Sequence, residues 1–313
     1  MRIEDEVSTD LQVPELLIKE AIELARVQVK KFTIPKRSGG NRVIYHPSKK
    51  LKMIQYWLMR TAFSRMLVHE AAMAYREGTS ILQNAHAHAG SRFFLKMDFT
   101  DFFPSIRFGD FLPYLEEWHL SARPRWSLDN DSKEFIKQVC FYKQDRLAVG
   151  YPSSPMISNI VMRNFDSTLT GEVKSGKYGQ VVYTRYADDI VLSTDRAGVC
   201  KELVEVVENT VKALKSPRLT INRRKTRLGS STGGTASVTG LRVCADGHIT
   251  INRNLKDRVR LMLSLYKKGR LSEGEVPSLV GYLAYCQHVS PQFFSGLANK
   301  YFNEIHKIRT RDL

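Results

Sequence analysis

Two consecutive aspartates, Asp188 and Asp189, stand between two apolar, strand-like runs, Gln180 to Tyr186 and Ile190 to Ser193. A third, Asp98, closes another apolar run that begins at Arg92. A tight turn between strands presents acidic side chains from a rigid base, and a strand ending on a carboxylate can lie beside it. Three carboxylates gathered at adjacent strand ends repel one another, so a bound cation belongs to such a site. Hard divalent ions take oxygen ligands, carboxylates above all. Two such ions, roughly 3.5–4 Å apart, serve phosphoryl transfer to a nucleotide: one activates the attacking hydroxyl and the other stabilises the leaving group. Taken alone, adjacent aspartates read more simply as a solvated turn. The order of the elements around them decides between the two readings.

Those elements mix strands and helices without strict alternation. Pro14 to Lys31 has helical spacing, with a proline at its start. Phe32 to Pro35 and Arg42 to His46 predict a hairpin joined through Ser38-Gly39-Gly40-Asn41. Helices are expected over Leu51 to Leu67, Ser80 to Ala89, Phe111 to His119, Ser132 to Phe141, Pro155 to Leu169 and Gly198 to Leu214. Short strands follow near Ala236 to Val243 and His248 to Ile251, and the tail from Asn254 is helical, with breaks near Gly269 to Gly274 and Ser290-Pro291. The pattern predicts an α+β core followed by a helical appendage.

Charge points to a polyanionic partner. The 313 residues carry a formal net charge of +16, and Lys31 to Arg60 holds eight Lys and Arg with no Asp or Glu. From Ile251 to Leu313 there are eleven Lys and Arg against five Asp and Glu. Such a balance implies nucleic acid or an anionic membrane surface. No apolar stretch approaches the roughly 18 residues of a membrane span, and the N-terminus is acidic where a signal peptide is basic and then apolar. The expectation is a soluble cytoplasmic protein that binds nucleic acid and no membrane. Cys140, Cys200, Cys244 and Cys286 are scattered, with no paired spacing, and read as buried thiols rather than as zinc ligands or disulfides.

The chain resembles reverse transcriptases, and within them the bacterial retron class, from about Phe32 to about Ile251. Tyr186-Ala187-Asp188-Asp189 matches the Y-x-D-D box, and Lys96 to Ile106 is similar to the motif of the first catalytic aspartate with its following double aromatic. Gly150 to Asn159 resembles the loop that positions template and nucleotide, and Asn222 to Thr226 the later motif whose lysine lies near the triphosphate. Asn84-Ala85-His86-Ala87-His88 matches the N-A-x-x-H signature of retron enzymes, and Val238-Thr239-Gly240 their V-T-G signature. One departure stands at Leu147-Ala148-Val149-Gly150, where the family's loop begins L-P-Q-G; valine offers a packing surface in place of an amide.

The resemblance implies a right-hand polymerase: fingers and palm around a small antiparallel sheet, plus a helical thumb. Residues 1–95, with 107–150 contributing, would form the fingers, 96–250 the palm and 251–313 the thumb. Asp98, Asp188 and Asp189 would be catalytic and, with the Phe99 carbonyl, ligate two Mg2+ ions, or Mn2+. Lys36, Arg42, Phe103, Gly150 and Lys225 would bind the deoxynucleoside triphosphate, Phe103 by excluding a ribose 2′-hydroxyl. Asn84 and His88 would have a class-specific structural or RNA-contacting role; Lys256, Arg258, Arg260, Lys267, Lys268 and Arg270 are RNA-contact candidates on the thumb. Implied partners are a cognate structured noncoding RNA serving as template and primer, the DNA product, and an accessory effector protein in anti-phage defence. Other readings are another short bacterial reverse transcriptase, either group II intron-like or an untemplated defence polymerase; an RNA-dependent RNA polymerase; and an inactive RNA-binding subunit. The last has no need of three mutually repelling carboxylates.

Overall fold

The computed structural model describes residues 1–25, 27–35 and 39–310. Helix α1 (Ile3–Leu11), which the sequence pattern did not predict, buries Ile3 and Val7, and α2 (Glu15–Glu23) buries Ile18 and Ala21. The helix expected to reach Lys31 ends at Glu23. Val27 and Val29 are β-branched, and Lys30 already opens a strand. That strand, β1 (Lys30–Pro35), pairs antiparallel with β2 (Asn41–His46) as the expected hairpin. Helix α3 (Lys49–Thr61) starts where the Ser48 side chain accepts from the Leu51 amide at 3.2 Å. It stops short of Leu67, giving way to a single 3-10 turn.

After α4 (Ile81–Ala87) comes the central strand β3 (Phe93–Asp98). Helices α5 (Phe102–Ser105), α6 (Phe108–Ala122) and α7 (Asn130–Cys140) follow. The single helix expected over Pro155 to Leu169 is two, α8 (Ser154–Val161) and α9 (Arg163–Val173). Helix α8 packs on α6 while α9 packs on the sheet, and one straight rod does not serve both. Strands β4 (Val181–Tyr186) and β5 (Asp189–Thr194) form a tight hairpin, α10 (Val199–Ala213) crosses behind β3 and β5, and β6 (Arg227–Ser230), also not predicted, completes an antiparallel sheet in the order β4-β5-β3-β6.

The strand expected near Ala236 to Val243 folds back on itself. Strands β7 (Ser237–Val238) and β8 (Leu241–Val243) are joined by Thr239 and Gly240, both in the left-handed region with φ of 46° and 83°. A two-residue hairpin loop with positive φ at both positions matches the natural twist of paired strands. Strand β9 (Ile249–Ile251) completes this second sheet, and α11 (Arg253–Lys267), α12 (Val276–Val289), α13 (Pro291–Lys300) and α14 (Phe302–Thr310) end the chain. The apolar side chains fall into two cores. One runs from α1 through the central sheet to α10; the other gathers β7–β9 and α11–α14 with Ala85, Phe94 and Val191. Among the described residues no helix is long and apolar enough to cross a membrane.

Helix α4 joins the two cores. Its Ala85 lies in the second core, and the Thr239 hydroxyl donates to the Ile81 carbonyl at 3.2 Å. At its other end, fully buried His88 bridges the central sheet, Nδ1 lying 2.6 Å from Ser193 Oγ and Nε2 2.8 Å from Thr184 Oγ1. The Ser193 hydroxyl donates to Ser91, so it accepts from Nδ1–H, and the neutral ring that burial favours would leave Nε2 to accept from Thr184. Burial lowers the His88 pKa from 6.5 to about 4. Stability from this group is therefore complete above about pH 6.5 and is lost as pH falls through about 4. Denaturant unfolding at several pH values should show an acid loss on the order of 3 kcal/mol from this residue. The His88→Gln variant should lack that pH-dependent component; an identical acid profile would refute the assignment.

Candidate active site

The three aspartates meet at one end of the central sheet. Register places Asp98 opposite Asp189 across β3 and β5, and Tyr186 opposite Asp189 across β4 and β5. Only Ala187 and Asp188 remain for the turn, and Ala187 takes a left-handed φ of 58°. The Phe99 amide donates to the Asp188 carbonyl at 3.2 Å, so the turn and the end of β3 are tied through backbone. Asp98 is buried; Asp188 and Asp189 are half-buried.

Lysines partner this negative charge. Lys225 Nζ lies 3.0 and 3.1 Å from the two Asp98 oxygens, and Lys96 Nζ 2.9 Å from Asp189 Oδ2. Burial pushes the Asp188 carboxyl up, the charges of Asp98 and Asp189 push it further, and Lys225 partly offsets both. Hard divalent cations take carboxylate oxygens, so Asp98, Asp188 and Asp189 are the residues here that could hold such ions, and a bound cation would compete with Lys225 and Lys96 for them.

The turn is anchored from beneath by a side chain that the sequence reading passed over. Arg185 is completely buried; its Nε and Nη2 donate to the two Asp166 oxygens at 2.8 and 2.7 Å. Its Nη1 donates to the Ala187 carbonyl at 3.1 Å and to Asn159 Oδ1 at 3.2 Å. The Tyr183 hydroxyl also donates to Asp166, at 2.6 Å. A guanidinium fork saturated in this way fixes the residue whose backbone carries Asp188.

The remaining expected residues are placed as follows. Lys36 lies outside the described residues. Arg42 is exposed on β2, opposite Ile34. Phe103 is half-buried, with its ring edge-on to Phe102 at 5.4 Å, and Phe102 stacks on Phe99 at 5.7 Å. Gly150 has φ of 108°, and a Cβ there would stand 2.4 Å from the Tyr45 carbonyl oxygen. The loop therefore lies flat on β2, held by a 2.8 Å bond from the Tyr45 amide to the Val149 carbonyl. Residue 149 makes this contact through its backbone, which valine supplies as well as glutamine.

Two expectations change. Asn84 and His88 have no exposed surface, so neither presents a group to RNA in this conformation; His88 is a strut between strands. Sequence spacing does not report burial, which is why the contact reading stood open. On α11, Arg258 sits over the Tyr282 ring at 5.3 Å, Lys256 and Arg260 over Phe293 at 5.4 and 5.0 Å, and Lys267 over Tyr301 at 5.9 Å. Lys268 and Arg270 are exposed just beyond. Carboxylates partner Arg260 (Asp257, 2.8 Å) and Lys267 (Glu304, 3.7 Å).

Lys96 was missed as a site residue because it lies inside the strand read as buried; its place two residues before Asp98, on the same face of β3, was the available signal. The buried-thiol reading holds for Cys140, Cys200 and Cys286, and all four cysteines are free. Half-buried Cys244 joins Asp246 and His248 in a turn whose donor atoms lie within 4.8 Å of one another. The Asp246–His248 hydrogen bond of 2.6 Å already closes that turn.

The family described as Reverse transcriptase (RNA-dependent DNA polymerase) matches residues 34–256. The Retron Ec73 reverse transcriptase of Escherichia coli is 41% identical over 90% of this chain and 89% of its own. The Retron Ec83 reverse transcriptase of Escherichia coli is 32% identical over 87% of this chain and 86% of its own. Among solved structures, telomerase from Candida albicans, in complex with a fragment of telomeric RNA, superposes with a TM-score of 0.52 at 14% identity. That match covers 90% of this chain and 59% of the telomerase chain, and shows a shared right-hand polymerase fold.

The raised Asp188 carboxyl implies that its charge opposes folding at neutral pH. Because the Asp188 pKa is raised in the folded state, its contribution is most favourable below the unfolded value of 3.8 and is lost as pH rises through the folded one. Asp188→Asn should therefore melt higher than the unsubstituted chain at pH 7 without divalent ions. The gap should close as pH falls below about 4. A lower melting temperature at pH 7 would contradict this electrostatic account.

Proposed function

The chain belongs to the retron reverse transcriptases and is an RNA-directed DNA polymerase, and on that premise we propose that it copies its own structured noncoding RNA from an internal guanosine 2′-hydroxyl. The product would be branched RNA-linked single-stranded DNA. The observation that carries the catalytic part is the convergence of Asp98, Asp188 and Asp189, with Lys225 and Lys96 against them.

In this reading Asp98, Asp188, Asp189 and the Phe99 carbonyl would hold two divalent ions, Mg2+ or Mn2+. When bound, the ions lower the pKa of the attacking hydroxyl and neutralise the leaving pyrophosphate. The chain's own groups then orient the substrate. Lys225, half exposed beside Asp98, would turn its ammonium toward the triphosphate oxygens. Arg42, and Lys36 by its motif position, add fixed positive charge from the hairpin, and the flat loop at Gly150 backs the nucleotide. Phe103, held edge-on by Phe102, closes the space a 2′-hydroxyl would need.

Residues 1–95, with 107–150, serve as fingers, 96–250 as palm and 251–313 as thumb. The α11 cations, several poised over aromatic rings, suit phosphate and 2′-hydroxyl contacts along an RNA stem. An accessory effector and a role in anti-phage defence in the cytoplasm complete the proposal.

Two measurements test it. Phe103→Ala should raise ribonucleotide incorporation relative to deoxynucleotide incorporation by an order of magnitude or more, on the scale by which steric selection acts; an unchanged ratio would remove Phe103 from that role. The chain purified from its native operon should carry a branched RNA–DNA species, identified by sequencing the bound nucleic acid with and without debranching. Unbranched or template-free DNA would favour another short bacterial reverse transcriptase.

A further inference from the structure

Tyr75 lies in the irregular segment between α3 and α4, outside every motif identified in the sequence. Its backbone is left-handed, with φ of 57°, a conformation that costs a bulky residue of this kind energy. Both flanks hold it there. The Ala74 carbonyl accepts from Asn159 Nδ2 at 2.7 Å, and the Met73 amide donates to the Arg185 carbonyl at 2.8 Å. Arg76 Nη1 donates to the carbonyls of Glu70 and Ala72, each at 3.1 Å. The backbone is thus fixed by its neighbours, while the Tyr75 side chain packs into neither core and its residue stays 50% exposed. Strain maintained by surrounding contacts, around a side chain the fold does not use, is the pattern of a functional position.

The ring stands at the catalytic turn. Its centroid is 6.5 Å from that of Tyr186, with the planes 39° apart. Partial burial and the charges of Asp188 and Tyr186 push its phenol up, whereas Arg42 pulls it down. Tyr75 therefore lies within electrostatic reach of both the carboxylates and the hairpin cation. Phosphates held between those charges would leave the attached base against the exposed ring.

We propose that Tyr75 is a nucleobase-stacking residue of the active site, packing its ring face on the base pair being formed. This rests on the polymerase reading above. Stacking suits the task because every base has a π-face, so one ring serves all four nucleotides without reading sequence. The base contacted belongs either to the incoming deoxynucleotide or to the template.

The test uses the full chain extending a DNA primer on an RNA template, with Tyr75→Gly and Tyr75→Phe as variants. Glycine relieves the left-handed backbone and removes the ring, so Tyr75→Gly should melt no lower than the unsubstituted chain. Its deoxynucleotide KM should nevertheless rise about tenfold or more if the incoming base is the partner. The Kd for primer–template, measured by fluorescence anisotropy, should rise instead if the template base is the partner. Tyr75→Phe should match the unsubstituted chain in both. Unchanged KM and Kd in an active Tyr75→Gly enzyme overturn the stacking role alone. So does a fall in melting temperature that tracks the loss of activity, or a Tyr75→Phe variant as impaired as Tyr75→Gly. An unsubstituted chain that extends no primer overturns the polymerase reading and the stacking role together.

Discussion

Three carboxylates at the end of one small sheet repel each other, and much of the surrounding structure answers that repulsion. Asp98 and Asp189 face each other across adjacent strands, and Asp188 follows from a turn too short to carry it away. Burial strengthens the repulsion, because a low dielectric screens it less. Lys96 and Lys225 supply opposite charge from β3 and from the segment before β6, respectively. The Asp188 charge opposes folding, and a site that concentrates charge in this way gives up stability to do so.

Holding the turn in place calls for a different kind of interaction. The Arg185–Asp166 pair is fully buried, and a buried pair costs desolvation that only good geometry offsets. Here the fork is filled on every side, by Asp166, Asn159 and the Ala187 carbonyl. Asn159 in turn pins Ala74, so one connected network sets both the catalytic turn and the strained segment beside it.

The two short signatures that mark the retron class meet in three dimensions. The N-A-x-x-H segment forms α4, the V-T-G segment forms the turn of β7 and β8, and Thr239 reaches the first residue of α4. One end of α4 sits in the core of the C-terminal helices and the other locks β4 to β5 through His88. Placed so, α4 packs at once on the core of the C-terminal helices and on the strands that carry the aspartates. A buried polar residue with two satisfied hydrogen bonds suits such a joint, because it holds only in one register.

Much of this was legible in the chain itself. Apolar runs bordering aspartates marked β3, β4 and β5, and the residue types at their ends specified the chemistry, since hard cations and phosphates have few possible protein partners. The long helices were visible from spacing, and membership of the family from motif order. Local pattern could not foresee features set by distant partners. Helix α2 ended early because strand pairing claimed Lys30, β6 formed because β3 had a free edge, and the run at Ala236 to Val243 turned back where Thr239 could reach α4. His88 looked available and is buried; Lys96 and Arg185 looked like strand residues and hold the site. Composition and spacing determined what this protein can do chemically, because charge and ligand preference belong to the side chains. Tertiary structure alone decided which of those side chains meet, because contact across the fold depends on packing and register that no local window contains.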